Sequence, residues 1–377
     1  DTDTTNAVGT ELVTNGTFDS NTTGWTSNSA GTFTSSGGVG VLTNTTQGDR
    51  CRIFDDFTTV VGKSYTLQFQ IVSGSMFLHI SNGSTNYVSN LGSTPGYYTY
   101  TIIANTTTTY LQAGNYSVTN GDTSSIDNIS MRLAEPDRSV NGNGLQVFGT
   151  VTKTAVATGA DLVGYSGFSH AAGGNYLRKP YHSGLDLGTG DFVFSVWCKL
   201  TAASSTYDFL WEPQTSGSSH RFYIIRNVSS GNLYLPYGTD VADTFIPIGV
   251  WTKVDIVRHN NIASQYINGK KAGASYTSNQ NLNASAAAGD YRYTHIGCYH
   301  GGSYGWNGSI ALAKVSATAP SAEQIAKMYN DEKHLFATNA KATLYGTSDA
   351  VTALAYDDST ELLHVGTSAG RSEFQGL

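Results

Sequence analysis

The heptapeptide Tyr65-Thr66-Leu67-Gln68-Phe69-Gln70-Ile71 decides the fold class of this chain. Its large apolar side chains alternate with Thr and Gln, so the two kinds point to opposite sides of an extended segment. A period of two is typical of an antiparallel β-strand with one buried face. Similar runs follow at 76–80, 97–103 and 126–133, with turn-forming clusters between them. We therefore predict a jelly roll or related sandwich over residues 11–134.

A second all-β unit is predicted over residues 146–336. Strand patterns occur at 192–200 and 251–257, and the run 265–271 contains an Asn-Gly pair typical of a tight hairpin turn. The only convincing helix in the sequence begins at Ser321, where a Ser-x-x-Gln capping box precedes a short amphipathic face.

Three further segments complete the predicted organisation. Residues 1–10 are a lead, and residues 135–145, which are polar and contain two Asn-Gly pairs, are a linker. Residues 337–377 form a β tail with three strand signals. About forty residues bury little core alone, so the tail needs cover from a neighbouring domain, from other copies of the chain, or from sequence beyond Leu377.

Composition excludes several classes of function. The net charge is −7 with 13% charged residues, and no basic stripe indicates a nucleic-acid partner. Three cysteines, Cys51, Cys198 and Cys298, fit neither a metal motif nor a disulfide framework. No apolar run has the length of a membrane span, and no signal peptide is visible. We expect an extracellular protein whose signal was removed, or one that leaves the cell on a released particle.

The start of the first unit resembles family 4/9 carbohydrate-binding modules. Leu12-Val-Thr-Asn-Gly-Thr-Phe-Asp19 and Thr23-Gly-Trp25 match the family's opening pattern, and 62–66 and 126–129 match later positions in order. The resemblance implies a sugar-binding jelly roll. It also implies a structural Ca²⁺ site near Asp19 and Asp127, because such modules often bind calcium between the first strand and the closing acid.

The second unit resembles a laminin-G-like, concanavalin A-like sandwich. The recurring motifs lie at 191–197, 251–254, 266–269 and 306–310. The family's usual acidic pair after the last motif is replaced by Ala311-Leu312, which argues against calcium at that strand. The fold class is therefore all-β: two tandem β-sandwiches, jelly roll then concanavalin A-like, with a short C-terminal β tail.

In the order of these units and in the sequence character of the tail, the chain is similar to structural proteins of marine tailed phages. The resemblance implies a virion-exposed fibre protein that contacts glycans on the host cell surface and other virion proteins. Both faces of the strand around Val351 are largely apolar, which favours cover by other copies of the chain. The resemblance to phage fibre proteins implies that this assembly is a homotrimer.

Aromatic side chains give the strongest indication of a ligand. Sugars stack their C–H faces on aromatic rings while amides, carboxylates and imidazoles bind the hydroxyls. The alternation in 76–80 puts two such residues opposite the core, and a glycine-rich loop near residue 301 is expected to expose three more. Packing and protein contacts are the alternative roles, and Trp25, Trp197 and Trp251 are expected in the core. The candidate ligand-binding residues are Phe77, His79, Tyr97, Tyr98, Tyr116, Tyr299, Tyr304 and Trp306.

Catalysis has weaker support. Asp208 and Glu212 are spaced to share one strand face, as glycosidase carboxylates do, but only two acids are present and Leu210 stands between them. Two Gly-x-Ser-x-Gly matches, at 301–305 and 366–370, lack the helix of a nucleophile elbow. We expect a non-enzymatic recognition protein, with a purely structural or decoration protein, and then a glycan hydrolase, as alternatives.

Overall fold

The computed structural model describes residues 4–139, 141–168, 174–202, 207–214, 223–235, 239–283, 292–299, 304–338, 340, 350–360 and 362–375. The first half contains β1 (Ala7–Gly9), β2 (Thr26–Ser27), β3 (Gly31–Ser36), β4 (Val39–Asn44), β5 (Arg52–Thr58), β6 (Ser64–Ser73), β7 (Met76–Ser81), β8 (Asn86–Val88), β9 (Gly96–Ile103), β10 (Thr108–Asn115) and β11 (Thr123–Glu135).

The second half begins with β12 (Leu145–Ala155), β13 (Val163–Ser166), β14 (Tyr176–Lys179), β15 (Phe192–Leu200), β16 (Tyr207–Glu212), β17 (Ile224–Asn227), β18 (Leu233–Leu235) and β19 (Thr239–Asp240). It continues with β20 (Thr252–His259), β21 (Ile262–Ile267), β22 (Lys270–Thr277), β23 (Thr294–Ile296), β24 (Gly308–Ser316), α1 (Ala322–Glu332), β25 (Val351–Asp357), β26 (Leu362–Thr367) and β27 (Gly370–Gln375). Short 3-10 turns lie at Ser183–Leu185 and Lys333–Phe336.

The first sandwich consists of two antiparallel sheets. One has the order β3-β4-β11-β6-β9 and the other the order β2-β5-β10-β7-β8. The predicted alternation in 65–71 is confirmed, because Tyr65, Leu67, Phe69 and Ile71 are all buried in the space between the sheets. The core that they join includes Phe18, Trp25, Leu42, Ile53, Met76, Leu78, Ile80, Leu111 and Ile126.

The second sandwich is also antiparallel. Its front sheet runs β12-β14-β23-β16-β17-β18-β19, and its back sheet runs β13-β24-β15-β20-β21-β22. The predicted Asn268-Gly269 turn joins β21 to β22, with both residues at positive φ as a tight hairpin turn requires. The core includes Val147, Phe192, Phe194, Val196, Leu210, Trp211, Ile224, Val254, Ile256 and Trp306. Together the two sandwiches confirm the all-β fold class.

Helix α1 closes the back sheet of the second sandwich. Ser321 caps it by accepting from the backbone N–H of Gln324, whose side chain in turn accepts from the backbone N–H of Ser321, as the capping box predicts. Ile325 is fully buried, and the ring of Trp197 stacks on Tyr329 with 5.6 Å between centroids. Trp197 is therefore a core residue, as predicted.

The two strands on either side of the junction between the sandwiches are hydrogen-bonded to each other. β11 and β12 flank the predicted linker and pair antiparallel at Ala134–Gln146 and Glu135–Leu145. Strand β1, in the predicted lead, pairs with β12. On the facing surfaces, Gln146 Nε2 donates to the Thr66 carbonyl at 3.2 Å. Consecutive strand pairs therefore lead from the first sandwich to the second.

The C-terminal segment forms a separate three-stranded sheet, β25-β26-β27. All three predicted strand signals are confirmed. Val351, Leu354 and Tyr356 of the edge strand are 49%, 65% and 59% exposed. Across the part of the chain that the structure describes, no helix has the length and apolarity to cross a membrane.

Candidate functional site

The outer face of the five-stranded sheet in the first sandwich is open. Along β5, Ile53 and Phe57 point to the core while Phe54 is 36% exposed on the other side. On β10, Tyr110 is 44% exposed and Gln112 half-buried. We call this surface the open sheet face and define it by Arg52, Phe54, Asp56, His79, Tyr110 and Gln112.

The centre of the open sheet face is a row of three side chains. Gln112 lies opposite Phe54 on β5 and opposite His79 on β7, so all three share one face with neighbouring Cβ atoms about 5 Å apart. The Gln112 side chain has no hydrogen-bond partner among the described residues. Its amide thus stands unused between an aromatic ring and an imidazole.

His79 is held in a defined protonation state. Its Nδ1 accepts from the backbone N–H of Asn90 at 3.3 Å, so in the neutral ring the proton lies on Nε2. Burial lowers the pKa of His79, which keeps the imidazole neutral at pH 7. The row therefore offers the Nε2–H of His79 as a donor and the Gln112 amide as both donor and acceptor.

Phe77 lies beneath this face rather than on its surface. It points away from the core, as predicted, but it is only 6% exposed because its ring lies over Gly114 and beside His79 and Tyr116. A Cβ at Gly114 would come within 2.7 Å of the Phe77 ring, so the glycine allows this approach. Phe77 supports His79 and Tyr116, and half-buried Tyr116 lies at the margin of the face.

Five residues of the open sheet face were not predicted from the sequence, namely Arg52, Phe54, Asp56, Tyr110 and Gln112. The alternation in 52–58 gives a local signal that Phe54 points away from the core. The register that places Gln112 between Phe54 and His79 is a property of three strands, and no single segment of sequence contains it.

The predicted loop aromatics belong to a second aromatic group, on the front sheet of the second sandwich. Tyr299 and Tyr304 have ring centroids 6.2 Å apart, and both lie near Phe209, at 4.9 and 6.0 Å. Tyr304 is 40% exposed, whereas Phe209 is 5% exposed. Further rings of this group, which the sequence analysis did not single out, are Tyr207, Tyr223 and Tyr234.

The predicted exposure of Trp306 is wrong. Trp306 is 0% exposed and belongs to the main core of the second sandwich. Its backbone N–H donates to the Gly297 carbonyl at 2.7 Å, so the chain has already returned to the sheet before β24 begins. A buried indole presents no face to a sugar.

Tyr97 and Tyr98 lie on β9, where the first sandwich meets the second. Tyr98 stacks on Phe69 with 5.2 Å between centroids, and its hydroxyl donates to the Thr94 carbonyl. The guanidinium of Arg292 lies 3.6 Å from the centroid of the Tyr97 ring. These two tyrosines are thus remote from the open sheet face and line the contact between the sandwiches.

The structure brings the two predicted metal ligands near one another. Burial, and to a smaller extent the negative charge of Asp19, raise the pKa of Asp127. Asp127 Oδ1 is buried and has no hydrogen-bond partner. Among the described residues, no group of three or more His, Cys, Asp or Glu side chains is arranged so that it could hold a metal ion. Further calcium ligands there would be carbonyl, amide or water oxygens, and the site stays a prediction.

The acid pair considered for catalysis is buried and paired. Asp208 is 0% exposed and lies 3.3 Å from Arg226, and Glu212 is 4% exposed with His295 Nδ1 at 4.0 Å. A register shift between Phe209 and Trp211 interrupts the strand alternation, so a spacing of four does not align the two carboxylates. Neither acid faces an open cleft in the way a glycosidase needs.

The serine motifs offer no nucleophile elbow within the described residues. The match at 366–370 is the turn between β26 and β27, with a strand on both sides. The match at 301–305 lies mostly outside the described residues.

No curated protein matches the sequence. Among solved structures, domain 4 of an extracellular family 43 arabinanase from Geobacillus stearothermophilus is 18% identical, with a TM-score of 0.36, over 48% of this chain and 82% of that chain. A heptameric pentraxin from Limulus polyphemus is 17% identical, with a TM-score of 0.33, over 41% and 75%. The binding domain of Paraclostridial mosquitocidal protein 1 is 13% identical, with a TM-score of 0.41, over 61% and 60%. At such TM-scores these likenesses carry no information about ligand or activity.

A family model matches within the second sandwich. Residues 171–326 match the laminin-G-type model of the concanavalin A-like lectin/glucanases superfamily. The match agrees with the two facing antiparallel sheets described above. The resemblance of the first sandwich to carbohydrate-binding modules stays a prediction. The chain thus contains, over residues 171–326, a concanavalin A-like lectin superfamily domain.

Proposed function

We propose that this chain is a non-catalytic, extracellular glycan-binding protein whose first sandwich binds sugar on the open sheet face. The observation that carries the proposal is the row Phe54–Gln112–His79, in which an unused amide lies between a ring and a neutral imidazole. Tyr110 adds a second exposed ring. Five strands spaced about 4.8 Å apart give a surface about 19 Å wide, enough for a short stretch of polysaccharide.

We further propose a virion-exposed role, such as that of a phage tail fibre that contacts host-surface glycans, which accords with the resemblance in the order of the chain's units. The burial and pairing of Asp208 and Glu212 support binding without turnover.

A glycan array tests the proposal, followed by titration of the best ligand. We expect Tyr110→Ala and Gln112→Ala each to weaken binding roughly tenfold, since each removes a stacking or hydrogen-bonding contact of about 1 to 1.5 kcal/mol. Tyr356→Ala, which removes an exposed tyrosine from the C-terminal sheet, serves as the matched control. If both Tyr110→Ala and Gln112→Ala bound the ligand with unchanged affinity, the assignment of the site to the open sheet face would be wrong.

A structural role in an assembly is the second candidate function. The exposed apolar side chains of β25 favour it, because a sheet edge with unpaired backbone groups and apolar side chains is suited to pairing with another chain. An assembly protein without a ligand would bind nothing on the array yet form a defined oligomer.

A further inference from the structure

A cleft lies between the two sandwiches, away from the open sheet face. Tyr97 and Gln68 form its wall on the first sandwich, while Tyr181, Arg292 and Tyr293 form its wall on the second. The space between these walls is about 270 Å³ only when the open solvent at its mouth is included, and the enclosed part is about 20 Å³. An enclosed space of that size admits a group as small as a carboxylate, so the rest of a ligand would lie in the open mouth of the cleft.

Arg292 is the unusual residue of this cleft. It is 9% exposed, and its guanidinium is stacked on Tyr97. Nε and Nη1 are buried without any hydrogen-bond partner. No carboxylate among the described residues forms an ion pair with it. Burial lowers the pKa of Arg292, but a guanidinium stays charged at neutral pH.

Without a ligand, burial of this unpaired guanidinium lowers the stability of the folded chain. Buried charges are normally paired, because removing them from water costs several kcal/mol that only an opposite charge or hydrogen bonds offset. Stacking on Tyr97 orients the guanidinium plane but leaves its N–H groups unused. Arginine binds carboxylates through two parallel hydrogen bonds, from Nη2 together with Nε or Nη1.

The remaining walls suit a sugar ring. Tyr181 and Tyr293 supply aromatic surface, and the hydroxyl of Tyr181 is turned away to Asp186 at 2.9 Å. On the opposite wall, Gln68 Oε1 is buried and has no partner, so it is available to accept from a hydroxyl. One anion-binding edge, an amide acceptor and aromatic walls therefore converge on one small cleft.

We propose that this cleft binds an acidic sugar, a uronate or sialate, with its carboxylate on Arg292 and its ring against the tyrosines at the open mouth of the cleft. The site lies on β6, β9 and the segment before β23, and no residue of the open sheet face takes part. It is therefore a second site, distinct from the open sheet face.

Calorimetric titration of the full chain tests the assignment with methyl glucuronide, methyl glucoside and acetate as probes. We expect methyl glucuronide to bind and the neutral glucoside to bind roughly 10- to 100-fold more weakly, the usual contribution of hydrogen bonds to a charged group. Acetate should be weaker as well, because it lacks the ring.

Variants locate the site. Arg292→Gln should lose binding of methyl glucuronide, and Arg292→Lys should weaken it about tenfold, because an ammonium does not form the paired contact. Arg371→Gln, at an exposed arginine of the C-terminal sheet, is the matched control and should bind normally. Gln112→Ala should also bind normally, which separates this cleft from the open sheet face.

Three results would overturn the proposal. These are no binding of methyl glucuronide to the wild-type chain, equal affinity for acetate and glucuronide, or full binding by Arg292→Gln. Should Arg292→Gln fail to fold, as judged by its melting temperature, Arg292→Lys and Tyr97→Ala carry the test. Full binding by both of those variants would overturn the assignment equally.

Discussion

Replacing Lys253 with methionine removes the centre of a buried ionic cluster under helix α1. Lys253 is 0% exposed, and its Nζ lies 2.8 Å from Ser195 Oγ and 2.5 Å from Asp255 Oδ1. Glu332 of α1 is 4.0 Å away. Methionine fills similar space without a charge, so the variant leaves Asp255 buried with only Ser195 as a partner.

The expected loss of stability follows from that unpaired carboxylate. Removing one partner of a buried ion pair costs about 3–5 kcal/mol. For a domain of this size each kcal/mol lowers the melting temperature by about 2–4 °C, so Lys253→Met should melt roughly 6–20 °C below the wild type. Burial raises the pKa of Asp255 even with the lysine present, and losing the lysine raises it further.

The sign of the pH dependence follows from that raised pKa. Protonation of Asp255 relieves the unpaired charge. Stability is therefore retained near the unfolded pKa of an aspartate and lost as pH rises through the folded value. We expect Lys253→Met to be closer to the wild type at pH 5 than at pH 8.

Calorimetry and urea unfolding measure both effects. Lys327→Met, which breaks an exposed ion pair with Asp331 on the same helix, is the matched control and should leave stability unchanged. Combining Lys253→Met with Asp255→Leu should recover most of the lost stability, because replacing a whole buried ion pair with apolar residues often leaves the free energy of unfolding unchanged. A double variant as unstable as the single one would refute the reasoning.

Three further outcomes are expected. Trp306→Ala should cost about 3–5 kcal/mol in urea unfolding, whereas Tyr304→Ala, at a surface ring, should leave stability unchanged; equal losses would contradict the burial argument. If calcium joins the two carboxylates, a chelator should lower the melting temperature of the full chain and lose that effect in Asp127→Asn, with elemental analysis detecting the metal; no shift and no metal would remove the site. Light scattering should find the full chain trimeric and a chain ending at Phe336 monomeric, and the same mass per assembly for both would exclude the tail as the assembly element.

The sequence predicted those features that depend on short-range patterns. Alternation identified β6 and its inward residues, because period two is enforced by the pleat wherever one face is buried. The capping box fixed the start of α1, since its two hydrogen bonds join residues three positions apart. Both features are contained in a few consecutive residues.

The sequence did not correctly predict the exposure of residues whose burial depends on tertiary contacts. Glycine-rich composition around residue 301 predicted an exposed loop, but composition does not reveal that Trp306 re-enters the core beside Gly297. The central row of the open sheet face likewise depends on the register among β5, β10 and β7. Choosing Phe77 was correct as to its direction and wrong as to its exposure, because Gly114 on the neighbouring strand lets its ring lie flat.

The two proposed binding surfaces are held in a defined relation by the junction between the sandwiches. β11 and β12 pair directly, and Gln146 donates to the Thr66 carbonyl across the facing surfaces. A flexible linker would let each surface search independently, with an effective concentration set by linker length. Here the spacing is instead set by strand pairing, so a single glycan gains from both sites only if its acidic and neutral residues match that spacing. A polysaccharide whose carboxylates do not match that spacing should therefore bind no more tightly than a ligand that occupies only the stronger of the two sites.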